Sequence, residues 1–509
     1  MICIICIVCI WCETKAEICS SIWLVPGIVQ LNTKSFPKNR QHWTNRDFSS
    51  VEIMINNLLQ ALARFLDRPL FPWKTVLVGF SLGQYVFESF LSLRQYRVLQ
   101  HTKPPKVLEG EITEKVFEDS QTYGRAKAKF GFFSGIYGQL QNLVFIYYDF
   151  LPKIWALTGV WLVRYFPSWS QGEIGHTLLF FFAFNILTTI LSLPISYYST
   201  FVLEEKFGFN KQTVGLWITD MLKGQALGLV LGGPIMAAVL KIIQKTGNEF
   251  FYYLWIFSIL VQVFAITIYP IVILPMFNKL SPLEPGLIKT GVEDLAQKLK
   301  FPLHDIYSID GSKRSAHSNA YFFGFPWKKH IVIYDTLMEK SEPEEVVAVL
   351  SHELGHWKLG HTTKLFGIAQ AHMLYIFALF TAFVNNKSLF QSFGFHNEQP
   401  IMIGFLLFSD ALAPMDAVVK FLMNILSRKF EFEADAFAAN LGQSKLLAQS
   451  LLKLQIQNLS TMDADWMYAS YHYSHPILTE RLAALGWKGK GAEKAEDSEK
   501  PVKAADREL

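Results

Sequence analysis

The sequence predicts an all-α integral membrane protein of seven transmembrane helices, with its long polar connections gathered on one side of the bilayer. Three observations lead there. Of 509 residues, 51% are hydrophobic and 18% charged, with a mean hydropathy of +0.23, too apolar for an ordinary soluble chain of this length and too long for a single core. Seven segments approach the ~20 residues needed to cross hydrocarbon: about Thr75–Leu93, Asn142–Val163, His176–Tyr197, Lys223–Ile243, Phe251–Leu274, Thr363–Val384 and Ile401–Leu426. Basic residues are shared unequally. The first connection carries Arg94, Arg97, Lys103, Lys106, Lys115, Arg125, Lys127 and Lys129, whereas those near Arg164 and Lys387 hold about one each, which places the first connection in the cytosol.

Residues 1–70 form an N-terminal extension. Met1 to Cys12 is apolar but too short to span and lacks a basic leading region, so it is a poor signal peptide. All five cysteines, Cys3, Cys6, Cys9, Cys12 and Cys19, lie there without the turn residues of a metal run, and the segment reads as an anchor, a targeting segment or a mispredicted start. No thiolate remains elsewhere for metal or nucleophile. Ile55, Leu58, Leu59, Leu62, Phe65 and Leu66 recur at helical spacing, as in an amphipathic helix on the membrane surface or one packed on the bundle.

Residues 71–277 hold spans one to five, and 363–426 hold spans six and seven. Glu88, Asp149, Asn185, Gln225, Gln262, His372, Asp410 and Asp416 lie in or beside them, with Pro194, Pro234, Pro270 and Pro414 as interruptions. Polar groups are costly on a lipid face, so these should meet one another or a water-filled interior. Counting spans forward puts 278–362 and 427–487 on the same cytosolic side. Residues 488–509, small and rich in lysine and glutamate, read as a disordered tail. No cluster of arginines with exposed aromatics suggests nucleic acid as a partner; the lipid bilayer is the partner that composition implies.

Within 278–362 lies His352-Glu353-Leu354-Gly355-His356. Positions i and i+4 share a helix face, so both imidazoles reach one metal ion with Glu353 beside the open coordination position, the outline of a hydrolytic zinc site. Ser341 followed by Glu344 reads as a capping box, Pro343 suits the first turn, and Val346, Val347, Val349 and Leu350 lead on to the histidines. A third ligand is expected from a separate helix, and Arg428–Asp435 offers Glu431 and Asp435, four residues apart, so that one can bind metal while the other orients an imidazole. Glu433 should point elsewhere. His361, nine residues beyond His352 at about 100° per residue, falls on the opposite side of a continuing helix.

The chain resembles the type I CAAX prenyl proteases, integral-membrane zinc metalloproteases that cleave after the modified cysteine of prenylated proteins. The matching residues are H-E-L-G-H-W (352–357), E-F-x-A-D-A-F (431–437), S-N-A-Y (318–321) and Y-H-Y-S-H-P (471–476). Tyr198–Phe201, Gly208–Thr213 and Phe277–Lys279 match as well, and the resemblance runs from about Phe71 to Trp487. It implies a bundle enclosing a large water-filled chamber, with a cytosolic zinc metalloprotease domain. It also implies one zinc ion held by His352, His356 and Glu431, with Asp435 in support and Glu353 as the base that takes a proton from water. His475 would serve as an oxyanion donor, and Arg481 would support substrate or a ligand-orienting carboxylate. Ser318, Asn319, Ala320 and Tyr321 would form a strand that pairs with extended substrate.

The implied substrates are prenylated CaaX proteins that lose their C-terminal tripeptide, often with a second cleavage nearer the substrate's N-terminus. The implied location is the endoplasmic reticulum and inner nuclear membranes. Two alternatives stand beside this. A membrane quality-control zinc protease with the same site would need no prenyl group, and a transporter or structural membrane protein would need no metal centre.

Overall fold

A computed structural model describes residues 45–169 and 172–489. The five cysteines and the tail beyond Lys488, apart from Gly489, fall outside these residues. A helix over Asn45–Leu66 leads in: Leu62, Ala63 and Leu66 lie against the apolar bundle core while Met54, Leu58 and Phe65 stay exposed. Asp67 accepts the Ser388 backbone N–H at 2.8 Å, and the Trp73 indole donates to the Ser388 hydroxyl at 3.0 Å. The end of the extension is therefore part of the bundle, and a boundary at residue 70 cuts through packed structure.

Long helices then cross the membrane at Trp73–Val98, Glu173–Glu204, His361–Phe380 and Ile401–Asn440. A 64-residue helical run over Val214–Phe277 is too long for one crossing, since at ~1.5 Å per residue it would reach about three times the ~30 Å hydrocarbon thickness. Gly247, at φ 56°, turns it back, so that Leu240 and Ile243 share one core with Phe250 and Leu254. It supplies two spans.

The second span differs from the sequence expectation. Instead of one helix over Asn142–Val163, a helix over Glu114–Tyr147 ends at Tyr148–Asp149, where Asp149 takes φ 51°, and Phe150–Tyr165 departs at 66°. Thr113 caps the first piece by accepting the Val116 N–H, so Lys115, Arg125, Lys127 and Lys129 ride on a helix rather than in a loop. With this bent pair counted once, the bundle has seven spans among the described residues. Pro194 and Pro414 sit inside helices, while Pro270 falls in a π-turn and Pro234 just after one, where a missing N–H is absorbed.

Few residues of the spans are fully buried, 11% of the apolar window in Trp73–Val98 and 6% of that in Glu173–Glu204. Polar side chains meet across the interior: Asn185 donates to Gln225 (2.5 Å), Gln225 to Thr189 (2.9 Å), Gln370 to Gln262 (2.8 Å) and Asn142 to Ser81 (2.9 Å). That is the arrangement expected of polar groups kept off lipid.

The two ends of the bundle differ. At one end Ile401 N–H donates to Glu173 (2.6 Å), Lys74 pairs with Asp149 (2.7 Å), and Phe383 and Phe390 join the core. At the other, Arg94 pairs with Asp465, Arg314 with Asp220 and Tyr123 with Glu204, and here the polar segments are assembled.

They form a compact unit with a four-stranded sheet of order β1-β2-β4-β3: β1 Leu280–Pro282, β2 Leu303–Ile309, β3 Ala320–Phe325 and β4 Lys328–Tyr334. β2 and β4 are parallel and the other pairs antiparallel. Ile331 and Ile333 face the helices Leu287–Leu299 and Pro343–Lys358 through Leu295, Val346, Leu350 and Leu354. The predicted substrate strand is shorter at its start than expected, with Ala320 and Tyr321 in β3 and Ser318 and Asn319 before it. Asn319 Oδ1 accepts the Ala320 N–H at 2.8 Å and closes that end of the strand.

Candidate metal centre and active site

The Pro343–Lys358 helix begins one residue later than the sequence suggests. Glu342, not Ser341, is the N-cap, with Glu345 completing the reciprocal capping box and Pro343 in the first turn. Two sequence neighbours could serve as the cap, and Glu342 accepts the N3 backbone N–H. The helix lies against Ile401–Asn440 where Gly355 meets Ala434. A Cβ on Gly355 would stand 3.0 Å from Phe437 Cδ1 and 3.4 Å from Ala434 Cα, so glycine permits the approach that brings Glu431 to the histidines.

His352 Nε2 and His356 Nε2 lie 3.2 Å apart, and Glu431 reaches them with Oε2 at 3.4 Å and Oε1 at 3.2 Å. One donor atom from each lies within 4.8 Å of the other two, and all three residues are buried. Glu431 Oε2 is buried with no hydrogen-bond partner among the described residues. Two imidazole lone pairs and an orphaned buried carboxylate oxygen around one point are the donor set of a cation such as zinc. Burial opposes the Glu431 charge, but His475, His352 and His356 outweigh it and hold the carboxyl well below its usual range.

The outward nitrogens are held too. His352 Nδ1 lies 2.8 Å from Asp435, which Arg481 grips through Nε (2.8 Å) and Nη2 (2.6 Å), with Arg481 Nη1 3.6 Å from Glu431. Burial opposes the Asp435 charge as well, but the hydrogen bond from His352 and the Arg481 guanidinium depress its pKa. His356 Nδ1 lies 3.0 Å from His361 Nδ1, whose Nε2 lies 2.9 Å from Glu433 and whose ring stacks on Phe430 at 4.2 Å. Each clustered histidine thus has a carboxylate behind it, one directly and one through a second imidazole.

His361 stands outside the three-donor group, as expected, but for a different reason. The helix ends at Lys358 and Gly360 takes φ 68°, so extrapolated angles do not apply and His361 returns behind His356. Sequence reading missed this contact and the role of Glu433; the glycine eight residues after His352 is the signal that could have revealed it.

Glu353 is half-buried on the same helix, within electrostatic reach of Arg481. His475 Nε2 lies 3.3 Å from Glu431 Oε1 with 40% of its side chain exposed, and Ser474 Oγ lies 3.0 Å from its Nδ1. β3 pairs only with β4 among the described strands, and the Pro343–Lys358 helix packs against it. Of the other residues singled out, Ala320 is buried and Ser318 Oγ is buried without a partner among the described residues.

Residues 95–279 match the model of the CAAX prenyl protease N-terminal region, five membrane helices, and residues 282–487 match peptidase family M48. CAAX prenyl protease 1 of Saccharomyces cerevisiae is 47% identical over 84% of this chain and 98% of its own length. The human CAAX prenyl protease 1 homolog is 38% identical over 80% and 94%. The chain belongs to the CAAX prenyl protease 1 family. The crystal structure of S. mikatae Ste24p superposes with a TM-score of 0.79 at 46% identity, covering 82% of this chain and all of that one. Membership makes the protein a multi-pass membrane metallopeptidase of family M48, and the His352/His356/Glu431 group is where a metal can bind.

Proposed function

We propose that the protein is a zinc-dependent membrane endopeptidase that removes the C-terminal tripeptide from prenylated CaaX proteins. The reading rests on one observation: two imidazole Nε2 atoms and the Glu431 carboxylate converge while the outward Nδ1 atoms are already satisfied. The name borne by its relatives points to the substrate class.

His352, His356 and Glu431 would hold one zinc ion, which when bound polarises a carbonyl and acidifies water. Glu353 takes a proton from the attacking water, a C–O bond forms as the peptide C–N bond breaks, and the proton passes to the leaving amine. His475, partly exposed beside Glu431, donates to the oxygen on which charge develops. β3 offers to extended substrate the edge left unpaired among the described residues, and Arg481 keeps Asp435 and His352 in place. The basic first connection supports a cytosolic site, and the family a location in the endoplasmic reticulum and inner nuclear membranes.

The test is cleavage of matched prenylated and unprenylated C-a-a-X peptides by the detergent-purified full chain. The expected result is cleavage after the prenylated cysteine, abolished by chelator and restored by zinc. Equal cleavage of the unprenylated peptide would favour the quality-control alternative, and chelator-insensitive cleavage would overturn the metal chemistry.

A further inference from the structure

A second group of metal-ligating side chains lies on the sheet, away from the helices that carry the proteolytic cluster. His304 and Asp305 sit on β2 and His330 on β4, with Asp305 paired opposite His330. Successive strand residues ordinarily face opposite sides, but the register shifts between Leu303 and Asp305, and this irregularity leaves His304 beside Asp305 rather than behind it. His304 Nδ1 lies 2.6 Å from Asp305 Oδ2, and His330 Nδ1 lies 3.4 Å from the same oxygen.

We propose that His304, Asp305 and His330 bind a second divalent transition metal, with zinc as the reference ion. One donor atom from each lies within 4.8 Å of the other two. His330 Nδ1 is buried and makes no hydrogen bond among the described residues, so a nitrogen aimed at the group is left unsatisfied. Its ring is fixed by Phe323, stacked at 5.0 Å, and by Tyr307 at 5.7 Å. The Tyr307 hydroxyl donates to Asp305 Oδ2 at 3.2 Å and orients the carboxylate.

Two imidazoles and one carboxylate suit zinc, copper or nickel and leave positions for water; calcium and magnesium would require more oxygen ligands. The site is open to solvent, since the side chains of His304 and Asp305 are 50% and 42% exposed. A bound ion would tie β2 to β4, the strand against which β3 pairs.

The test is the zinc content of the full chain after dialysis against micromolar buffered zinc, beside His304→Ala and Asp305→Asn. The exposure of His304 and the isosteric change at Asp305 protect the fold, which unchanged peptide cleavage verifies. Each variant is expected to hold one zinc fewer per chain than the wild type, while Glu431→Ala loses a different ion and the His304→Ala/Glu431→Ala pair loses both. If His304→Ala and Asp305→Asn hold as much zinc as the wild type, the proposal is overturned, whatever the Glu431 variant does.

Discussion

Glu431 and Asp435, one helical turn apart, take different parts in one centre: the first faces the Nε2 atoms of both histidines and the second faces His352 Nδ1. Spacing alone leaves their roles exchangeable; the structure separates them by depth, because Arg481 claims both Asp435 oxygens. Glu431→Ala is accordingly expected to lose the zinc held between His352 and His356, measured as one ion fewer per purified chain, and full zinc in that variant would contradict its role. His361→Ala removes the partner of His356 Nδ1 and is expected to weaken zinc affinity ~10–100-fold, with Glu433→Ala following in the same direction. Metal competition titrations read both. His475→Ala leaves the three donors intact, so it should keep its zinc and lose ~10²–10³ in kcat. The i, i+4 histidines were legible because helix periodicity carries them; His361 was not, because a left-handed glycine breaks that periodicity.

At the scale of elements, helices were easier to read than strands. Apolar runs near bilayer length are distinctive, whereas KKHIVIY (328–334) and LHDIYSI (303–309) are short and interrupted by histidine and aspartate, and the sheet they form depends on pairing that no local pattern reveals. The bent second span was hidden by the continuity of apolar residues across Tyr148–Asp149.

Asp465 shows how the site is tied to the bundle. It caps the Trp466–His472 helix, accepting the N–H groups of Met467 and Tyr468 at 3.1 Å, and it binds Arg94 through both oxygens. The hydrogen bond from Arg94 lowers its pKa against the opposing effect of burial, and the capped N–H groups help. A depressed carboxyl contributes stability above its unfolded pKa near ~3.9 that is lost as pH falls through the lower folded value. Asp465→Asn keeps a cap but not the charge, so it should be less stable than the wild type at pH 7, with the difference fading below about pH 4. Thermal unfolding across pH checks this; a gap independent of pH would show that the ion pair contributes nothing.

Over the whole molecule, the membrane bundle and the polar unit depend on each other, since loops from both domain matches interlock: Lys211 N–H donates to the Arg314 carbonyl at 3.1 Å, and Phe209 stacks on His317 at 4.5 Å. The N-terminal extension is not wholly separable. Deleting residues 1–44 is expected to preserve peptide cleavage, whereas deleting 1–70 removes Leu62, Leu66 and the Asp67–Ser388 bond and should lower the unfolding temperature. Equal melting of the two truncated chains would show that these contacts carry no stability. The most direct measurement is cleavage of a prenylated peptide by Glu353→Gln at measured zinc content. The variant is expected to carry as much zinc as the wild type and to turn over several orders of magnitude more slowly, because water is still positioned but has lost its base; near-normal turnover at full zinc would contradict the mechanism.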